Sequence, residues 1–303
     1  MLRLLRRFRT PRLPREPEFR RRLRRQGYSL PPHRLPNAVW KDWVNRPLRT
    51  EAEVDQAVIE IEACGLVLHR DRPKNWDLLV TLGTILDRTN RRGAVLEMGA
   101  ARYSKLLPWL YAYGYRRLAG IDLVATGLHN TGPIEYLVMD LTATSFPDGA
   151  FDAIACLSVI EHGVSPEGYA RETSRLLRPG GIAVISTDFW CSPIDTHGKT
   201  AYGVQEHVLD PDEIATWLKV ASGYGLKPVS PVDLRCVERV VRWSRVDLEF
   251  TFTNLVLMKD GNAIRSRGAR SRYRRGGTDQ RATTGSAPTA ADDIELRDAE
   301  LAE

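Results

Sequence analysis

The sequence predicts an α/β fold built on a mostly parallel sheet with helices on both faces. Three observations carry that expectation. Gly93 to Ser104 reads GAVLEMGAARYS: the apolar run Ala94-Val95-Leu96 ends in Glu97, breaks at Gly99 and feeds a helical stretch from Ser104 to Tyr113. Further strand-like runs follow at Ile134 to Val138, Phe151 to Leu157 and Ile182 to Thr187, with a helical stretch before the last. The second strand, Arg117 to Asp122, closes on an acid 23 residues after Gly99. A strand that stops at a small-residue turn lets backbone approach a nucleotide-like ligand, and an acid at the next strand end can accept hydrogen bonds from both ribose hydroxyls.

In chain order, residues 1–35 form a basic, Pro- and Arg-rich arm expected to be disordered. Within it Met1, Leu4, Leu5 and Phe8 share one helical face before Thr10-Pro11 ends the pattern. This face reads as a weak contact with anionic lipid through residues 1–25, as a transit segment, or as an arm with no role. Residues 36–90 are expected to make a helical cap. Thr50-Glu51-Ala52-Glu53 has the spacing of a capping box, with Val54, Val58 and Ile61 as the apolar stripe. A second helix is expected from about Asn75 to Asp87. Trp40, Trp43 and Trp76 read either as acceptor contacts or as packing.

Residues 91–258 hold the sheet. After the two strands named above, Ile134 to Val138 ends at Met139-Asp140-Leu141. Phe151 to Leu157 follows the turn Pro147-Asp148-Gly149 and ends at Ser158-Val159-Ile160-Glu161-His162. A helix is expected up to Arg178-Pro179-Gly180-Gly181, a stop signal, then a fifth strand from Ile182 to Thr187. Residues 188–208 are irregular and follow a strand end, where acceptor pockets form in such sheets. Asp210-Pro211-Asp212-Glu213 caps a further helix. Leu226 to Val229 and the alternating run Leu248 to Met258 are the last strands. Residues 259–303, Arg/Gly/Ser-rich and then acidic, are expected to be a disordered charged tail.

In this order VLEMGA, GIDL, MDL, FDAIACLSVIEHG and LLRPGG resemble a class I S-adenosylmethionine-dependent methyltransferase over about residues 90 to 258. The likeness extends to a type 11-like sub-branch often associated with polysaccharide or glycan genes. The resemblance implies a Rossmann-like, doubly wound, seven-stranded sheet, mostly parallel with an antiparallel last strand. The family's glycine-rich loop stands here as Gly99-Ala100-Ala101-Arg102-Tyr103, and alanine tolerates positive φ poorly. By resemblance S-adenosyl-L-methionine is the cofactor: Glu97 and Gly99 line its amino-acid end, Ala101 stands at a family glycine position where contact is through backbone, Asp122 meets its ribose, Asp140 and Leu141 its adenine, and Ser158 its methionine part. Asp140 also reads as a turn cap.

Methyl transfer needs donor and acceptor held in line, and a base where the acceptor is a hydroxyl. His162, after the fourth strand, is the first candidate; it also reads as a structural histidine beside Glu161. His207, Asp188 and His197 compete for the role. Asp188, Asp195 and His197 match no metal-ligand spacing, so no metal is expected.

Composition narrows the partners. The net charge is +6, yet residues 1–25 hold eleven Arg against two Glu, residues 265–275 six Arg, and residues 292–303 six acids against one Arg. The body from 26 to 264 is therefore mildly acidic, which is not the footprint of a nucleic-acid groove. Cys64, Cys156, Cys191 and Cys236 form no C-x-x-C pair, so neither zinc nor a disulfide framework is expected and a cytoplasmic location fits. No apolar run approaches the roughly 20 residues of a membrane span. The expected function is methylation of a small-molecule or glycan-like acceptor, at oxygen. The alternatives are a catalytically weak methyltransferase-like binding module and an NAD(P)-dependent dehydrogenase, whose sheet would end in parallel strands.

Overall fold

The computed structural model describes residues 15–100, 104–124, 132–201 and 203–261. Ala101, the N-terminal face of Met1 to Phe8 and the tail from residue 262 lie outside the described residues.

The sheet strands are β1 (Ala94–Met98), β2 (Arg117–Asp122), β3 (Ile134–Val138), β4 (Phe151–Leu157), β5 (Leu177–Phe189), β8 (Leu226–Pro228) and β10 (Leu248–Lys259), in the spatial order β3-β2-β1-β4-β5-β10-β8. The first five are parallel, and β10 runs antiparallel to both neighbours. The sheet is the mixed one expected, and not the all-parallel sheet of a dehydrogenase. A short strand β9 (Val241–Trp243) pairs with β10, and β6 (Thr200–Ala201) with β7 (Val204–Gln205) makes a separate hairpin in the 188–208 stretch.

Alternation along each strand sends side chains to two cores. Ala94, Leu96 and Met98 of β1 pack with α5 (Pro166–Leu176) and α6 (Pro211–Gly223), where Tyr169 meets Trp217 edge-on at 5.8 Å. Val95 faces the opposite core, shared by α2 (Glu51–Ala63), α3 (Lys74–Arg88) and α4 (Leu106–Ala112). Glu97 shares the period-2 face of Val95, so burial of a carboxylate on the α3/α4 side follows from the strand itself. Helix α3 is buried from Asn75 to Ile85, including Asp77. It spans this core as a central helix, because its apolar residues surround the axis.

Several expectations are corrected. Residues Arg15–Arg25, placed in a disordered arm, form helix α1, with Phe19 and Leu23 buried and Phe19 edge-on to Tyr111 at 4.8 Å. Thr50 makes no side-chain cap on α2. Glu53 is instead held by the Arg46 guanidinium at 2.8 and 3.1 Å and by the Arg49 amide, a charge-assisted fork that outcompetes a capping box. The box at Asp210 and Glu213 does form. β5 starts at Leu177 and runs through the Pro-Gly-Gly turn, with Gly180 at φ +76°. Trp40, Trp43 and Trp76 are packing residues: Trp40 lies against Gly83, and Trp43 stands 6.1 Å from Trp76. Among the described residues no helix is long and apolar enough to cross a membrane.

Candidate active site

A cleft of about 550 Å³ opens at the carboxyl ends of β1, β2, β3 and β4. It brings together Glu97, Gly99, Asp122, Asp140, Leu141, Ser158 and His162 from the sequence reading, and adds His69, Lys74, Asp77 and Ser104. All the strand-end candidates converge because parallel strands end on one side of the sheet.

Gly99 turns the chain out of β1 at φ +75°, and a Cβ there would come within 2.3 Å of a Val159 methyl. The amides of Gly99 and Ala100 both donate to the Ile121 carbonyl, at 2.8 and 2.9 Å, which fixes the turn against β2. Ser158 performs the matching turn after β4 at φ +50°, and its amide donates to the Ser186 carbonyl at 2.9 Å. A left-handed serine persists only where its surroundings over-determine it. Lys74 supplies one such constraint, because its ammonium donates to the Ser158 hydroxyl.

Glu97 is buried, and Ser104 donates to its Oε1 while Oε2 has no hydrogen-bond partner. Burial raises its carboxyl to about 7, against the hydroxyl of Ser104 and the backbone at Leu107, which lower it. Asp122 accepts from the Val124 amide at 3.1 Å. Asp140 accepts from the amide and hydroxyl of Thr142 at 2.8 and 2.7 Å, which hold its pKa low, so it caps its turn as well as lining the cleft.

Lys74 and Asp77 come from the first turn of α3, with 3.6 Å between Nζ and Oδ2. The Lys74 ammonium also sits 3.9 Å over the Phe252 ring. Burial disfavours its charge, but Asp77, Asp188, Glu161 and Asp71 together raise its pKa. Asp77 accepts from the Ser186 hydroxyl at 2.7 Å, and its carboxyl is raised by burial.

The base candidates separate. His162 lines the cleft, with Nδ1 at 3.8 Å from Glu206 Oε1. His207 does not line it: its Nε2 is 2.6 Å from Glu213 at the start of α6. Asp188 is buried, and burial first and Glu161 second push its carboxyl well above the usual range. Asp188 does not line the cleft. His197 is exposed, its amide donating to Asp195 at 2.9 Å. Among the described residues no group of three or more His, Cys, Asp and Glu side chains is placed to hold a metal.

Lys74, Asp77 and Glu206 were not legible as site residues. Lys74 meets Ser158 across 84 positions, and no local pattern announces such a contact. Lys74 and Asp77 are the charged residues among the first eleven positions of a largely buried helix, and that is the one signal that marks them.

Residues 96–185 match the family described as a methyltransferase domain. A ubiquinone biosynthesis O-methyltransferase of Chromobacterium violaceum is 35% identical over 130 residues, 40% of this chain and 53% of the relative, so the match spans about half that protein's length. An uncharacterized methyltransferase of Mycolicibacterium gilvum is 39% identical over 56 residues, 18% of this chain and 22% of the relative. Among solved structures, the geranyl diphosphate C-methyltransferase of Streptomyces coelicolor is similar at 15% identity and TM-score 0.49, covering 77% of this chain and 91% of that one. Residues 96–185, the stretch that resembles a methyltransferase domain, run from β1 into β5 of the mixed sheet described above.

Proposed function

We propose that this protein is an S-adenosylmethionine-dependent methyltransferase that methylates an oxygen of a small molecule. One observation carries the reading: Glu97, Asp122 and Asp140, each at the end of a successive strand, line one cleft together with His162. The cleft fits the cofactor on its own chemistry. Glu97 carries a buried oxygen with no partner, which suits an ammonium donor, and Asp122 stands where a ribose diol is bound in such sheets. Leu141 and Met139 offer apolar walls beside Asp140 for a base, and Ser158 closes the methionine end. Bound there, S-adenosylmethionine would supply an electrophilic methyl group on a sulfonium.

The chain's own residues do the rest. His162 takes the acceptor hydroxyl's proton, a task suited to an imidazole near neutral pH. Val204 and Leu123 give the cleft an apolar rim. The name of the C. violaceum relative supports oxygen as the methylated atom and a small molecule as acceptor; glycan-like acceptors belong in the same test.

Calorimetry with S-adenosylhomocysteine and with NADH, followed by incubation of a cell extract with protein and methyl-labelled cofactor, tests the reading. S-adenosylhomocysteine alone should bind, and mass spectrometry should find the label on oxygen of a small-molecule product. Absence of S-adenosylhomocysteine binding overturns the proposal. Binding without any labelled product would leave a methyltransferase-like binding module.

A further inference from the structure

We propose that Glu206 is the positioning residue of the site: it faces His162 Nδ1 and thereby presents Nε2 to the acceptor. The inference rests on reading His162 as the base.

Glu206 directly follows β7, and its amide donates to the Lys199 carbonyl at 2.8 Å. The hairpin is itself fixed, because the Lys199 ammonium donates to the carbonyls of Val246 and Asp247 at 2.6 and 2.7 Å. These contacts hold the Glu206 carboxyl in the interior, 1% exposed, with neither oxygen hydrogen-bonded. A carboxyl buried without a donor is costly. The groups around it sharpen the point. Glu161 follows β4, with Oε2 accepting from Thr187 at 3.1 Å, and Asp188 stands on β5; both are buried acids. Lys74 approaches from α3 and is shared with Asp77, Asp188, Glu161 and Asp71, while Arg245 acts on Glu206 from the turn after β9. His162 Nδ1, at 3.8 Å, lies within ion-pair reach of Glu206.

Nδ1 directed at a carboxylate keeps its proton, and the neutral ring then carries its lone pair on Nε2. The proton taken from the acceptor at Nε2 leaves an imidazolium whose Nδ1–H faces Glu206, so the new charge forms beside an acid. Burial and then Glu161 raise the Glu206 carboxyl to about 7, with Arg245 opposing, which brings its proton affinity close to that of an imidazole.

Nitrogen-15 NMR of the histidine rings in the full chain tests this without any acceptor, with His162→Gln assigning the signal. In the wild type, neutral His162 should be the Nδ1–H tautomer. In Glu206→Gln its titration midpoint should fall by about one pH unit, a tenfold loss of proton affinity, and in Glu206→Asp by an intermediate amount. S-adenosylhomocysteine affinity should stay within about twofold in both, because Glu206 does not line the cofactor end. An Nε2–H tautomer in the wild type overturns the proposal even if neither variant folds. So does a variant that is merely less stable, with the midpoint unmoved. If the tautomer and shift appear while S-adenosylhomocysteine fails to bind, the cofactor reading falls and the pair stands.

Discussion

On the proposed function, Glu97 would serve binding at the expense of stability. Its carboxyl is raised from the usual 4.5 to about 7 by burial. A carboxyl raised in the folded state contributes stability that is full below about pH 4.5 and is lost as pH rises through about 7. Glu97→Gln should therefore stabilise the free protein at pH 8, by about 2–3 kcal/mol, while weakening S-adenosylhomocysteine at least tenfold. Chemical denaturation paired with calorimetry reads both; a variant that is neither more stable nor weaker in binding would refute the role. Asp122→Ala should leave stability nearly unchanged, since Asp122 is only partly buried, and should cost about 1.5–3 kcal/mol in S-adenosylhomocysteine binding. An unchanged dissociation constant would remove Asp122 from the ribose. His162→Ala should lower turnover by ~10²–10⁴-fold with cofactor affinity kept, and equal turnover would send the search for a base elsewhere. These residues were legible because strand-end chemistry is local: each lies within a few positions of its own strand. Their orientation was not, because Glu206 reaches His162 from a hairpin 44 positions away.

At the scale of elements, helix α1 changes what can be removed. A chain beginning at Pro36 loses Phe19 and Leu23 from the core and uncovers Tyr111, whose hydroxyl donates to Glu16 at 2.9 Å. Such a truncation should melt well below the full chain. Phe19→Ala alone should cost about 3–4 kcal/mol, because the ring also fills the space over Gly132, where a Cβ would meet it at 2.4 Å. A melting curve equal to the full chain's would make α1 dispensable. The sequence hides this helix because six of its eleven residues are arginine and only Phe19 and Leu23 are apolar. Four positions apart, those two share one face, and tertiary contact does what composition does not advertise. The caps make the same point in reverse. Asp210 and Thr50 carry equal local signals, yet only Asp210 caps, since Arg46 takes Glu53 from the other.

Among the described residues, burial shifts several carboxyls toward the protonated form. Glu97 and Glu206 are raised to about 7, and burial also raises Asp71, Asp77 and Asp188. Their stabilisation is full below about pH 4 and lost as pH rises toward 7 and beyond. Glu172 works oppositely: burial would raise it, but Arg175 and Thr144 hold it low, so its contribution is present above about 4.5 and lost in acid. The free protein should therefore melt highest near pH 5–6 and lower by about 5–10 °C at pH 8, with S-adenosylhomocysteine narrowing the gap by supplying Glu97 with a donor. Thermal melts across pH, with and without the ligand, check this, and a melting point flat or rising to pH 8 would count against it.

The sequence by itself located the seven strands of the main sheet and the side of that sheet on which the cleft opens. Strand-end turns are written in neighbouring residues, which pointed to Gly99 and Asp122, while Glu97 and Asp140 were named through the family resemblance; all four meet in one cleft. Only the tertiary structure decided which further charged groups gather in and around that cleft. Lys74, Asp77, Glu161, Asp188 and Glu206 come from four separate parts of the chain. Their proton affinities arise from mutual distance and lost solvent, quantities that exist only once the chain is folded.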